Sequence, residues 1–103
     1  MAVVALTELK GDVKELLGKY DRVNERLMER GTSPAGLQTH ACVVLPDGIR
    51  IANVWDSAEQ ARESFKDEFF QKALRDAGFE PQEPVIHEVH RFLNFAAMQG
   101  APT

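Results

Sequence analysis

The sequence predicts one α+β domain of the ferredoxin-like type, in which two helices cover one face of a four-stranded antiparallel sheet. The apolar positions change period along the chain in the order βαββαβ. The length of 103 residues suits a single domain, and the content of 44% hydrophobic and 27% charged residues is that of an ordinary globular protein. We assign the domain to residues 1–95 and expect a flexible tail at residues 96–103.

The first two elements are separated by a change of apolar period. Residues 3–9 are apolar and rich in β-branched side chains, which predicts a strand. After Asp12, apolar side chains recur every three or four residues, which predicts a helix with Asp12 as its cap and Gly31 at its end. The apolar stripe of this helix consists of Val13, Leu16, Leu17, Tyr20, Val23 and Leu27.

Residues 37–45 and 49–55 form two β-type runs around a turn sequence, which predicts a hairpin. If Asp47 and Gly48 form the two-residue loop, Val44 pairs with Ile51. Continuing this register places four side chains of chemical interest on one face of the hairpin: His40, Cys42, Asn53 and Trp55.

The remaining elements are a long helix and a last strand. Asp56 and Ser57, followed by Glu59 and Gln60, form overlapping capping boxes, so we predict a helix over residues 57–77 that ends at Gly78. Residues 85–93 follow a proline-bracketed linker and predict the fourth strand.

Composition excludes several classes of function. The net charge of -4 and the pI near 5.3 argue against a nucleic-acid-binding surface, which needs clustered Lys and Arg. The sequence shows no secretory signal and no stretch long enough to span a membrane, so we expect a cytoplasmic protein without membrane contact. A single cysteine, Cys42, excludes an internal disulfide and a multi-cysteine zinc site.

Both faces of the hairpin carry apolar side chains. Leu37, Val43 and Val54 fall on one face, and Val44, Ile51 and Trp55 fall on the other. Two helices cover only one of these faces, so the other needs a second cover. We therefore predict a homodimer that forms through the sheet, and the pattern leaves open which face meets the helices.

The passage Ile-Ala-Asn-Val-Trp-Asp-Ser at residues 51–57, followed by Phe65, resembles the dimeric α+β barrel superfamily that includes antibiotic-biosynthesis monooxygenases. In that superfamily a third strand ends in Trp, and an acidic residue and Ser then open the second helix. The likeness covers residues 3–93 and implies a dimeric α+β barrel. Members of the superfamily differ widely in their chemistry.

Histidine is the side chain most readily poised for proton transfer near neutral pH. The predicted acid-base candidates are His40, His87 and His90. A pocket between sheet and helices would orient an aromatic or polyketide-like ligand through four side chains: Tyr20, Asn24, Asn53 and Trp55. The resemblance implies a further arginine in such a pocket, either Arg50 or Arg91. Ordinary packing roles for Tyr20, Asn53 and Trp55 remain the alternative.

No metal and no cofactor are predicted. His87 and His90 are three residues apart on a strand, where alternation places them on opposite faces. The glycines lack the spacing of a nucleotide-binding loop. Haem-degrading members of the superfamily carry a Trp and an iron-ligating His in the second helix, and residues 57–77 contain neither.

The resemblance implies a cofactor-independent oxygenase or a cyclase that acts on an aromatic or polyketide-like metabolite. A non-catalytic ligand-binding or stress-related dimeric module is the alternative, so whether the chain is an enzyme stays open. An RNA-recognition domain shares the element order but needs exposed aromatic residues on its central strands, which residues 49–54 lack.

Overall fold

The computed structural model describes residues 1–98. Its elements follow in the order β1 (Val3–Lys10), α1 (Val13–Met28), β2 (Leu37–Leu45), β3 (Gly48–Trp55), α2 (Ala58–Lys66), α3 (Glu68–Asp76), β4 (Val85–Glu88) and α4 (Phe95–Met98). The strands form one antiparallel sheet in the order β2-β3-β1-β4. The predicted ferredoxin-like α+β fold is therefore confirmed.

The core lies between the sheet and the helices, in two clusters. The first joins the sheet to α2 through Val3, Ala5, Trp55 and Ala61. The second joins α1 to α3 through Val23, Ala73 and Ala77. Alanines occupy several of these positions because small side chains allow helices and strands to approach closely.

Three of the residues predicted at helix ends, Asp12, Ser57 and Gly78, are confirmed in that role. The Asp12 carboxylate accepts a hydrogen bond from the Glu15 amide at the start of α1. The Ser57 side chain accepts one from the Gln60 amide at the start of α2. After α3, Gly78 adopts a φ of 93° and the next amide returns to the carbonyl of Leu74.

The predicted hairpin is present, but its register was wrong by two residues. Val44 pairs with Ile49 and not with Ile51, and Leu45 pairs with Gly48, so that Pro46 and Asp47 form the loop. A Cβ atom at position 48 would collide with the carbonyl oxygen of Leu9. Glycine is therefore needed where β3 passes close to β1, and not in the turn. A shift of two residues keeps every side chain on its predicted face.

The face predicted for Leu37 was also wrong. The pairing shifts between Leu37 and Thr39, which marks a β-bulge at Gln38. The bulge turns Leu37 to the side of Trp55, where it packs against the first core cluster. The Gln38 amide donates a hydrogen bond of 2.6 Å to the Asp56 carboxylate, which fixes the start of β2.

The single helix predicted over residues 57–77 is divided into α2 and α3 at Asp67, which has a ψ of 126°. Its carboxylate caps α3 by accepting from the Phe70 amide at 3.0 Å, and also accepts from Arg30 at 2.7 Å. An Asp in this position competes with helix continuation because its side chain bonds to nearby amides. The apolar period continues across the break, so the sequence pattern does not show where α2 ends.

The last strand is shorter than predicted, since β4 ends at Glu88 and residues 89–93 lie beyond it. Its pairing with β1 covers only Leu6 to Val3. The predicted tail at residues 96–103 begins within α4, and residues 99–103 lie outside the described residues.

Candidate functional site

The helix-facing side of the sheet carries the candidate site. Val3, Ala5 and Trp55 face the helices because they pack against Ala61 of α2. Asn53 alternates with Trp55 and pairs with both Ala5 and His40, so it faces the same way. The predicted grouping of His40, Cys42, Asn53 and Trp55 on one face is confirmed, and this face meets the helices.

Tyr20, His40 and Asn53 form a chain of hydrogen bonds at this face. The Tyr20 Oη atom lies 2.5 Å from His40 Nε2, and His40 Nδ1 lies 2.5 Å from Asn53 Oδ1. The rings of Tyr20 and His40 are parallel to within 2°. Three residues from α1, β2 and β3 thus meet, although they are far apart in the sequence.

The direction of these bonds follows from the chemistry of the amide. The Asn53 oxygen can only accept, so the hydrogen of the imidazole lies on Nδ1. In the neutral imidazole Nε2 then carries the lone pair, and the Tyr20 hydroxyl donates to it. The two hydrogen bonds fix the orientation of the His40 ring.

Burial is the main cause of the pKa shifts of Tyr20 and Cys42. It raises the pKa of Tyr20 above its ordinary value of 10.0, and the nearby charges of Cys42 and Asp21 raise it further. Burial and Asp21 also raise the pKa of the Cys42 thiol. At neutral pH the phenol keeps its proton and the thiol stays uncharged. The sequence did not identify Asp21 as part of the candidate site. The only indication in the sequence is that Asp21 directly follows Tyr20.

The other two predicted binding residues lie at different depths. Trp55 is 5% exposed and packs in the first core cluster. Asn24 lies one turn beyond Tyr20 on α1 and is exposed. Their roles in substrate binding stay predictions.

The C-terminal histidines lie apart from His40 within one chain. His87 pairs with Val4, which alternates with the helix-facing Val3 and Ala5, so His87 lies on the open face. It is also at the far edge of the sheet, about 14 Å from β2 at the usual strand spacing. His90 follows the end of β4 and is exposed. Acid-base roles for these histidines stay predictions.

The two candidate arginines are also outside the chain of hydrogen bonds. Arg50 is on the open face, where its guanidinium lies 3.1 Å from the Glu8 carboxylate. Arg91 lies beyond β4 and is exposed. Arg50 therefore lies on the face of the sheet opposite His40 within one chain.

Two surface cavities lie elsewhere. One of about 280 Å³ lies between α1 and α3 beside Arg22, Arg26 and Asp76, and another of about 170 Å³ lies beside Arg62, Phe65 and Ile86. In residues 1–98, no group of three His, Cys, Asp or Glu side chains is placed to hold a metal ion. No helix in this part of the chain has the length and apolar character needed to cross a membrane.

No protein-family model and no curated protein matches the sequence. Solved structures do match. A protein from Chloroflexus aurantiacus, provisionally named an antibiotic biosynthesis monooxygenase, is 20% identical with a TM-score of 0.57, over 91% of this chain and 96% of that one. SnoaB, a cofactor-independent oxygenase from Streptomyces nogalater, is 16% identical with a TM-score of 0.55, over 89% and 93%.

The chain resembles the antibiotic-biosynthesis-monooxygenase-like proteins in fold. A conserved protein from Methanosarcina mazei shares this fold at 12% identity, with a TM-score of 0.61 over 84% of this chain and 89% of that one. The predicted resemblance is confirmed at the level of fold, and identities this low carry no statement about activity.

Proposed function

We propose that this protein removes a proton from an acidic aromatic or polyketide-like substrate, as the first step of a cofactor-independent oxygenation or of a cyclisation. The observation that carries this proposal is the position of His40, whose two ring nitrogens are hydrogen-bonded to Asn53 and Tyr20. Such an arrangement suits a general base, because the base is oriented and its conjugate acid keeps a hydrogen-bond partner.

The surroundings of His40 favour a small organic substrate. Its side chain is exposed, so a ligand can approach it, and the half-buried Ile51 lies two residues from its partner Asn53 on the same face. An apolar surface beside a polar base is the usual lining of a site for a small organic molecule. One protein of the same fold, SnoaB, is named a cofactor-independent oxygenase, and a reaction of that class is the one proposed here.

We also propose that two chains pair through the open face of the sheet. This face carries Val4, Val43, Val54 and Val85, of which Val43 is 41% and Val85 57% exposed. Burying such a surface in a partner is favourable in proportion to its apolar area. The dimer would place the open-face His87 at the interface.

The proposed function is tested with anthrone, a tricyclic ketone with an acidic methylene group. Wild-type protein should speed the exchange of methylene hydrogen for solvent deuterium, and His40→Gln should lower the rate above buffer by about 10²-fold or more. Thr39→Ser, on the opposite face of β2, is the matched control. Oxygen uptake then separates an oxygenase from a cyclase or isomerase. Saturable binding of anthrone without exchange would support the non-catalytic ligand-binding module instead.

Single substitutions of His87 and His90 by Ala in the same assay test whether a C-terminal histidine takes part. We expect the substitution of His40 to lower the exchange rate most, because His40 is the histidine that is hydrogen-bonded to Tyr20 and Asn53. Unchanged rates in all three histidine variants would contradict an acid-base role for histidine in this protein.

A further inference from the structure

Both ring nitrogens of His40 are already engaged in the resting protein. The Nδ1 hydrogen is donated to Asn53, and the Nε2 lone pair accepts the Tyr20 hydroxyl. A neutral imidazole has one donor and one acceptor nitrogen, so no ring atom is left to take a proton directly from a substrate. The Tyr20 oxygen is the terminal atom of this row of hydrogen bonds.

We propose that Tyr20 Oη, and not His40, is the atom that takes the proton from the substrate, with His40 as the acceptor behind it. This inference rests on the proposed function and assigns Tyr20 as a further catalytic residue. The Tyr20 oxygen can accept from a substrate hydroxyl or acidic C–H while its own hydrogen is donated to Nε2, since a hydroxyl carries one hydrogen and two lone pairs.

Every proton that moves in this step is accounted for by the substrate, Tyr20 and His40. The substrate loses a proton to Tyr20 Oη as the phenolic hydrogen passes to His40 Nε2. Tyr20 ends neutral, His40 becomes imidazolium with hydrogens on both nitrogens, and the substrate becomes the anion. The Nδ1–H bond to the Asn53 oxygen persists and stabilises the new positive charge. The reverse transfer returns the proton to a product.

Three features of the site fit this relay. The rings of Tyr20 and His40 are parallel to within 2°, as expected when the hydroxyl points at a lone pair in the imidazole plane. Tyr20 is half-buried whereas His40 is exposed, so a ligand on the exposed side of His40 can reach the shared hydrogen bond. Burial raises the pKa of Tyr20, which keeps the hydrogen on the phenol at neutral pH.

The relay also narrows the substrate class. The net transfer is from the substrate to the imidazole of His40, so the substrate needs a hydrogen of high acidity, such as that of an ordinary phenol, whose pKa is near 10. Phenols and ketones that form aromatic enols match this acidity. Simple alcohols and unactivated hydrocarbons do not.

The experiment compares Tyr20→Phe, His40→Gln and the double variant in the exchange of anthrone methylene hydrogen with solvent deuterium. Tyr20→Phe should lose about as much rate as His40→Gln, roughly 10²-fold or more, and the double variant should lose no more than either. Glu25→Gln, an exposed position on the same helix, is the matched control and should keep the wild-type rate. Trp55 fluorescence confirms that each variant is folded.

Nitrogen NMR of His40 supplies a readout that a packing role for Tyr20 would not move. The relay predicts hydrogen on Nδ1 in the wild type, and loss of that preference in Asn53→Leu. It also predicts that Tyr20→Phe changes the Nε2 resonance, because that atom loses its donor. Hydrogen on Nε2 in the wild-type protein would overturn the relay.

The kinetic outcomes separate the relay from the function on which it rests. Exchange that falls in His40→Gln but persists or rises in Tyr20→Phe overturns the relay and leaves the proposed function in place, because freeing Nε2 would then help the base. Absence of catalysed exchange in the wild-type protein overturns the proposed function itself.

Discussion

Tyr20 is the only tyrosine in the chain, so the absorbance of its phenolate reports on one site without interference. Tyr20 belongs to the apolar stripe of α1 and also carries a polar hydroxyl. The structure uses both, because the ring is half-buried and the hydroxyl reaches His40. Residues of this kind have an apolar body and a polar tip, and their role depends on what the tip meets.

We predict that the absorbance titration of Tyr20 has its midpoint above the ordinary value of 10.0, and that Cys42→Ala lowers it. Burial is the larger cause and persists in the variant, so the midpoint should fall without returning to the ordinary value. Ser64→Ala, on α2, is a control that should leave the midpoint in place. An unchanged midpoint in Cys42→Ala would show that the thiolate charge does not act on Tyr20.

The same groups predict how stability depends on pH. The folded protein holds the protons of Cys42 and Tyr20 more tightly than the unfolded chain does, because both pKa values are raised on folding. Their contribution to stability is complete below the ordinary values of 9.0 and 10.0, and it is lost as the pH rises through the folded values. Urea unfolding followed by Trp55 fluorescence should show this loss in wild type and a smaller one in the double variant Cys42→Ala, Tyr20→Phe.

At the scale of the elements, Asp67 decides where one helix ends and the next begins. Its carboxylate caps α3 at the Phe70 amide and pairs with Arg30, whose guanidinium also lies 4.7 Å from the ring centre of Phe69. Removing Asp67 therefore disturbs both a cap and a contact between α3 and the end of α1.

We predict that Asp67→Ala lowers the free energy of unfolding by about 1 kcal/mol, the usual cost of losing an N-cap. Asp67→Asn keeps a good capping group and removes only the charge, and a part-exposed ion pair contributes little, so it should cost less than Asp67→Ala. Urea unfolding curves measure both variants. Equal losses would mean that the ion pair with Arg30, and not the cap, stabilises this junction.

In the molecule as a whole, the sheet has one covered and one open face. Adjacent residues of β2 lie on opposite faces. Val43 lies on the open face and is 41% exposed, while Val44 lies on the helix-facing side and is 60% exposed. The same substitution at these two neighbours therefore tests which face meets a second chain.

We predict that sedimentation at micromolar concentration finds twice the chain mass of 11.5 kDa, and that Val43→Lys shifts the protein toward the monomer. A lysine there would place an unpaired charge in an apolar interface, which is costly. Val44→Lys is the matched control and should remain dimeric. The opposite result would place the partner on the His40 side, and a wild-type monomer would contradict the dimer.

The features that could be predicted from the sequence depend on near neighbours. Capping by Asp12 and Ser57 needs only an amide three residues away, and alternation along a strand is enough to place His40, Cys42 and Asn53 on one face. The apolar period likewise predicted the βαββαβ order, and through it the fold, but not the break between α2 and α3. These interactions are short-range, so the residue types and their spacing suffice.

Three features could not be predicted from local pattern: the hairpin register, the bulge at Gln38 and the contact between Tyr20 and His40. Gly48 was read as a turn residue because Asp-Gly is a turn sequence, but the carbonyl of Leu9 in a distant strand requires glycine there. Tyr20 and His40 are 20 residues apart, and their distance depends on how α1 lies on the sheet. Such contacts are set by the packing of elements that the local pattern does not connect.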